Sequence, residues 1–125
     1  MTVAGLGFRA GSRVESLRAA LDAALQAHRD PITALATAAD KATHPALLQL
    51  AAELQLPIIP IHLPHLASQA ATPSAHVPAR YGAHSVAEAA ALAAAGPAAT
   101  LRASRCTSPD RMATAAIAST EKTQA

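Results

Sequence analysis

A chain of 125 residues has room for one domain and little else, and a composition that is 51% hydrophobic and only 14% charged excludes a disordered tail. With a net charge of +2, Arg as all but two of the ten basic side chains and only two aromatic residues, the chain suits a carboxylate or phosphate ligand. It offers nucleic acid neither stacking platforms nor a basic run.

The first element is a short strand through Val3, Ala4 and Leu6. It leads into a glycine-rich loop of Gly5, Gly7 and Gly11 with Arg9 between the last two. Ser12-Arg13-Val14-Glu15 has the S-x-x-E spacing of a capping box and predicts that a helix starts at Ser12. Strand, loop and helix N-terminus together would form a concave nest of N–H donors beside one guanidinium, a place for an anionic group. Along the helix Val14, Leu17, Leu21 and Leu25 share one stripe, with Arg18, Asp22 and Gln26 outside it, and the end falls near His28.

A second strand is predicted over Ile32 to Thr37, with Ala38 to Lys41 as its exit loop. Thr43-His44-Pro45 starts a second helix, with Thr43 or His44 as cap and Pro45 where its missing N–H costs nothing. Leu47, Leu50, Ala51 and Leu54 make its buried face, and a third strand follows at Pro57 to Ile61. From His62 to His84 the pattern gives way to a Pro- and His-bearing connection with one helical turn around Pro64 to Gln69. Ser85-Val86-Ala87-Glu88 is a second capping box, opening a helix that runs to Ala95 and stops at Gly96. That helix is apolar nearly all round except at Glu88, so it should be largely buried. Ala98 to Ala103 and Met112 to Ser119 read as closing strands joined through Ser108-Pro109-Asp110.

These elements predict one α/β domain over residues 1–120, followed by a polar tail at residues 121–125. The fold class is a three-layer α/β/α sandwich with a mixed, mostly parallel sheet and a C-terminal β-hairpin. Cys106 is the only cysteine, which excludes an intrachain disulfide and points to a reducing compartment. Met1 leads straight into an apolar run without a leader of signal-peptide type, and no stretch has the ~20 apolar residues of a membrane span. A cytoplasmic protein without a membrane partner is expected.

The glycine loop is not a dinucleotide fingerprint, because its third glycine falls one residue late and Asp40 comes too late for the ribose acid. It also lacks the Lys of a Walker loop. His62 and His65, with His76 and His84 further along, have metal-ligand chemistry, but Pro64 breaks the spacing and they read as loop histidines, so no metal and no cofactor is expected. Gly82 to Ala87 faintly resembles a nucleophile elbow, yet Ser85 is already explained as an N-cap. Lys41, at the C-terminal end of a strand, is a candidate ligand cation.

Gly5-x-Gly7-x-Arg9-x-Gly11, Lys41 followed by Pro45-x-Leu47-Leu48, Pro73-Ser74-x-x-Val77 and Ser85-Val86-Ala87-Glu88-Ala89-Ala90-Ala91-Leu92 occur in that order. Together they resemble the CobE family of cobalamin biosynthesis, which is similar to the C-terminal domain of CbiG. The resemblance spans nearly the whole chain. It implies an α/β domain acting in corrin-ring construction. In CbiG the family activity is opening of the ring-A lactone of a cobalt-precorrin with release of acetaldehyde. Two positions depart from the family's pattern: His44, where many members carry an acidic residue, and Phe8, where a cysteine is common.

Corrin precursors are macrocycles fringed with acetate and propionate groups, so the resemblance and the arginine-bearing loop agree on ligand type. The leading expectation is an accessory or carrier protein that binds a precorrin-like tetrapyrrole through Gly5, Gly7, Arg9, Gly11, Lys41 and Ser85. A second is hydrolysis of the lactone, with His44, His84 or Glu88 as base. A third is a module that docks on another corrin-pathway enzyme.

Overall fold

The computed structural model describes residues 1–28, 31–67 and 85–120. A sheet of five strands runs through it: β1 (Thr2–Phe8), β2 (Ala34–Ala38), β3 (Ile58–Ile61), β4 (Thr100–Thr107) and β5 (Ala113–Ser119), in the spatial order β3-β2-β1-β5-β4. β1, β2 and β3 are parallel, while β5 runs antiparallel between β1 and β4. The helices are α1 (Val14–Ala27), α2 (Pro45–Leu54), α3 (Leu63–Ala67) and α4 (Val86–Ala95). This is the expected mixed α/β fold with a C-terminal hairpin.

Alternation along the strands sorts the core into two layers. Ala4, Leu6, Leu35, Ala115 and Ile117 face α1 and α2, meeting Leu17, Leu21, Leu47 and Leu50. Val3, Ala36, Ile61 and Ala118 face the other way, toward Leu66 of α3 and the alanines of α4. Each fully buried leucine contributes roughly 1.5–3 kcal/mol, so the leucine-rich α1/α2 layer carries more of the apolar burial than the alanine layer under α4.

The alanine layer explains the first two glycines. Gly5 and Gly7 lie inside β1, not in a loop, and a Cβ on Gly5 would fall 2.0 Å from the Ala87 carbonyl oxygen and 2.6 Å from the Ala91 nitrogen. A Cβ on Gly7 would meet Val86 Cβ at 3.2 Å. Glycine is there because the α4 backbone lies directly on the strand. Among the described glycines only Gly96, capping the C-terminus of α4 as its sequence predicts, has a positive φ, 111°.

The capping box at Ser12 does not form. α1 starts at Val14 with Arg13 as N-cap and no side-chain cap, while the Ser12 hydroxyl donates to Met112 O at 2.9 Å. The hydroxyl hydrogen goes to a carbonyl across the sheet edge, while the Ser12 Oγ that a cap would use as acceptor takes no N–H of α1. The second box forms in half: Ser85 Oγ accepts from Glu88 N at 3.4 Å, but the Glu88 carboxylate turns away and accepts the Arg105 N–H at 2.9 Å. Glu88, expected as the polar exception on α4, is fully buried. The bond falls at the second of two register shifts in β4, between Ala103 and Cys106, so a buried carboxylate satisfies a bulge that the ladder leaves unpaired.

α2 begins as predicted, with Pro45 in its first turn and the His44 ring accepting from Ala46 N at 3.1 Å. Leu47, Leu50 and Ala51 are buried, whereas Leu54 is 40% exposed and Ala46 takes the remaining core position. β4 extends to Thr107, beyond the Ala98 to Ala103 expected. The expectations for Gln69, Pro73, Ser74, His76, Val77, His84 and the 121–125 tail fall outside the described residues. No helix among the described residues is long and apolar enough to cross a membrane.

Candidate functional site

Four connections meet at one edge of the sheet. The parallel registers Gly5↔Ala36 and Ala38↔Ile61 bring the C-terminal ends of β1, β2 and β3 to the same side. The antiparallel register Phe8↔Ala113 brings the β4–β5 turn there as well. The N-terminus of α4 comes to this edge because Val86 and Ala87 pack on Gly7. C-terminal strand edges are where open α/β sheets present ligand sites, since the loops there are free to diverge from the packed layers.

The β1–α1 loop is held from both flanks. On the β2 side Lys41 Nζ donates to Phe8 O at 2.8 Å and stands 5.3 Å from the Phe8 ring centroid. His44 Nε2 contacts Ala10 O at 2.7 Å. Because His44 Nδ1 already accepts from Ala46 N, the proton sits on Nε2 and is donated to Ala10 O. On the β5 side Met112 O accepts from both Arg9 N, at 3.0 Å, and the Ser12 hydroxyl. Within the loop Ser12 N donates to Arg9 O at 3.0 Å, closing a turn.

A polarity follows from these bonds. The carbonyls of Phe8, Arg9 and Ala10 all accept from the protein's own donors, turned toward Lys41, Ser12 and His44. Among the described residues the N–H groups of Ala10 and Gly11 meet no acceptor, and Arg9, Ala10, Gly11 and Arg13 are exposed. The uncapped first turn of α1 adds its own N–H groups beside them. The nest expected from the sequence is thus smaller and displaced: Gly5 and Gly7 belong to the ladder, and Arg9 N and Ser12 N are consumed internally. The donors left without an acceptor among the described residues begin at Ala10.

Gly11 differs from the other two. A Cβ there would meet only Met112 Cε, at 3.8 Å, and its φ lies outside the left-handed range. Neither strain nor crowding within the fold requires glycine at this position.

The β4–β5 turn is fastened by Asp110. Its carboxylate accepts from the hydroxyls of Ser108 and Ser16 and from Met112 N at 3.0 Å. The Ser108 hydroxyl first, then Ser16 and Met112 N, hold the Asp110 carboxyl below its ordinary value. Asp110 and Met112 are absent from the sequence-derived site. The Ser-Pro-Asp turn signal marks the local geometry but not the α1 serine 94 residues away that shares the carboxylate.

The remaining candidates separate. Ser85 is buried with its hydroxyl capping α4. Glu88 is buried toward β4, and His44 engages both ring nitrogens. His62 and His65 are exposed, and no group of three or more His, Cys, Asp or Glu placed to hold a metal occurs among the described residues. His84 lies outside those residues.

The family model described as cobalamin synthesis G C-terminus matches residues 2–118. Among solved structures, CobE, a protein from the cobalamin (vitamin B12) biosynthetic pathway, is 34% identical with a TM-score of 0.81, over 94% of this chain and 89% of that one. The cobalamin biosynthesis protein chiG from Agrobacterium tumefaciens is 38% identical with a TM-score of 0.75, over 98% of this chain and 100% of that one. A cobalamin biosynthesis protein G homolog from Sulfolobus solfataricus shares the fold, with a TM-score of 0.70 at 20% identity, and this chain spans 96% of its own length but 37% of that protein. Comparison with curated protein sequences gives no match. Near-complete coverage by the family model and by two relatives above 30% identity places the chain in the cobalamin synthesis G C-terminal family, among the proteins of cobalamin biosynthesis.

Proposed function

We propose that the protein binds a polycarboxylate tetrapyrrole of the precorrin type at this edge, holding or delivering it during corrin-ring construction. The observation that carries the reading is the polarity of the loop: its carbonyls are engaged by Lys41, Ser12 and His44, and its outward face is left to the Ala10 and Gly11 amides beside the exposed Arg9. Such a loop is preorganised for a carboxylate, and a guanidinium next to it supplies a paired, charge-assisted contact. Membership of a cobalamin-biosynthesis family supports a tetrapyrrole as the molecule carrying those carboxylates.

In this reading the six residues expected to bind ligand divide by task. Arg9 and Gly11 touch it, the latter through its amide and its lack of a side chain. Lys41 aims the loop by holding Phe8 O. Gly5 and Gly7 seat α4, whose N-terminus, capped by Ser85, comes to the same edge.

Binding is favoured over lactone hydrolysis with His44 or Glu88 as base, because a water-activating base needs a free lone pair near the ligand. His44 has committed both nitrogens and Glu88 is enclosed against β4. Titration with uroporphyrin, a tetrapyrrole fringed with acetate and propionate groups, followed by visible absorbance, tests the site. Arg9→Ala should weaken binding about tenfold, the loss of one charge-assisted contact. Equal affinity in wild type and variant would remove Arg9 from the site. Acetaldehyde release from a lactone substrate would restore the hydrolytic reading.

A further inference from the structure

We propose that Asp110 is a positioning residue for the carboxylate-binding loop, acting through Met112. Its role as such rests on the ligand reading above, but the geometry that carries it does not. The Met112 carbonyl is the one acceptor that fixes both ends of the Arg9–Ser12 turn, taking Arg9 N at 3.0 Å and Ser12 Oγ at 2.9 Å. Met112 is in turn aimed by Asp110, which accepts Met112 N at 3.0 Å.

The carboxylate is itself anchored at two further points. Ser108, buried at the start of the turn, donates to one oxygen at 2.6 Å while accepting Ala113 N at 3.1 Å, which ties Asp110 to the first residue of β5. Ser16 on α1 donates to the other oxygen. Asp110 therefore links three elements: the hairpin turn, the helix that starts just beyond the loop, and the carbonyl that sets the loop's turn. Arg111 stands between Asp110 and Met112 with a φ of 62°, in the left-handed region, at the exposed tip of the turn. Through Met112 O, a side chain about 100 residues away thus helps set the Ala10 and Gly11 amides, together with the holds of Lys41 on Phe8 O and His44 on Ala10 O.

Two readouts separate this positioning from the ligand reading. The first is the amide spectrum of the free protein. Asp110→Ala should displace or broaden the Ala10 and Gly11 resonances. Asp110→Asn, which keeps an oxygen to accept Ser108 Oγ and Met112 N, should leave them near the wild-type positions. Ser12→Ala, removing one bond to Met112 O without touching the hairpin, should move the same resonances less. The second readout is uroporphyrin affinity, expected to fall about tenfold in Asp110→Ala and to be largely restored in Asp110→Asn.

Unmoved Ala10 and Gly11 amides in folded Asp110→Ala would overturn the proposal whatever the ligand. Displaced amides with undiminished affinity would uphold the positioning and sink the ligand site instead.

Discussion

The His44 ring meets the Phe8 ring edge-on, with centroids 5.1 Å apart and planes at 75°. The contact is made where the β1–α1 loop and the start of α2 touch. The same imidazole caps α2 through Nδ1 and holds Ala10 O through Nε2. His44→Ala removes all three interactions and should cost about 1–2 kcal/mol, the scale of a lost N-cap with a partly exposed hydrogen bond. His44→Asn keeps a capping oxygen and should recover part of that. Urea unfolding midpoints check the order; equal midpoints for Ala and wild type would mean that the ring's contacts carry no net stability.

The glycines of the opening segment should respond in opposite ways. Gly5→Ala drives a methyl into the backbone of α4, where neither a rotamer change nor a flexible side chain can relieve the contact. A loss of at least about 1–3 kcal/mol, the scale of core overpacking, is expected. Gly11→Ala makes only an ordinary van der Waals contact with Met112 Cε and should leave the unfolding midpoint within about 0.5 kcal/mol of wild type. If uroporphyrin affinity nevertheless drops in Gly11→Ala, close approach of the ligand accounts for the glycine. Unchanged stability and unchanged affinity together would leave Gly11 without a role in the site.

Much of the fold could be read from local signals. Val14, Leu17 and Leu21 recur at helical spacing, Pro45 marks a helix start, and Ser85 and Gly96 bracket α4 by chemistry contained in a few residues. What escaped the sequence depends on distant partners. Gly5 and Gly7 look like loop glycines until α4, some 80 residues on, is seen lying on them. The Ser12 box gives way to a start at Arg13, with the Ser12 hydroxyl turned to donate to Met112 O, 100 residues away. The proximity of Lys41 to the glycine segment follows only from β2 pairing beside β1. The residue types at the site were legible; their division between ligand and scaffold was not, because that is a matter of which carbonyl each donor reaches.

Glu88 tests whether a buried acid here is structural. Its carboxylate accepts the Arg105 N–H at a bulge in β4, so Glu88→Ala should leave that donor poorly satisfied and a cavity under the edge strand. A loss of about 1–3 kcal/mol is expected, whereas Glu88→Gln, with an amide oxygen in the same place, should lose much less. Hydrogen exchange at Arg105 should accelerate in the Ala variant and stay slow in the Gln variant. Equally slow exchange in both would show that Glu88 does not hold the bulge.

Acid should loosen the hairpin turn before it reaches the leucine core. Asp110 accepts from the Ser108 and Ser16 hydroxyls and from Met112 N, donors that favour its charged form and hold its carboxyl below the ordinary value. A carboxylate with a depressed folded-state pKa contributes stability that is fully present above its unfolded value, near 3.9, and is lost as pH falls through the folded one. Glu53, lowered chiefly by its bond from Arg18, titrates in the same direction, so the wild-type curve alone cannot assign the effect. The comparison that does is with Asp110→Asn, which removes one of the two groups and leaves Glu53 in place. Between about pH 5 and pH 2 the wild-type melting temperature should fall more steeply than that of the variant, and above that window the difference between them should not change with pH. Parallel curves through the acid range would mean that these donors do not hold the carboxylate, and with it the turn that aims Met112 O at the binding loop.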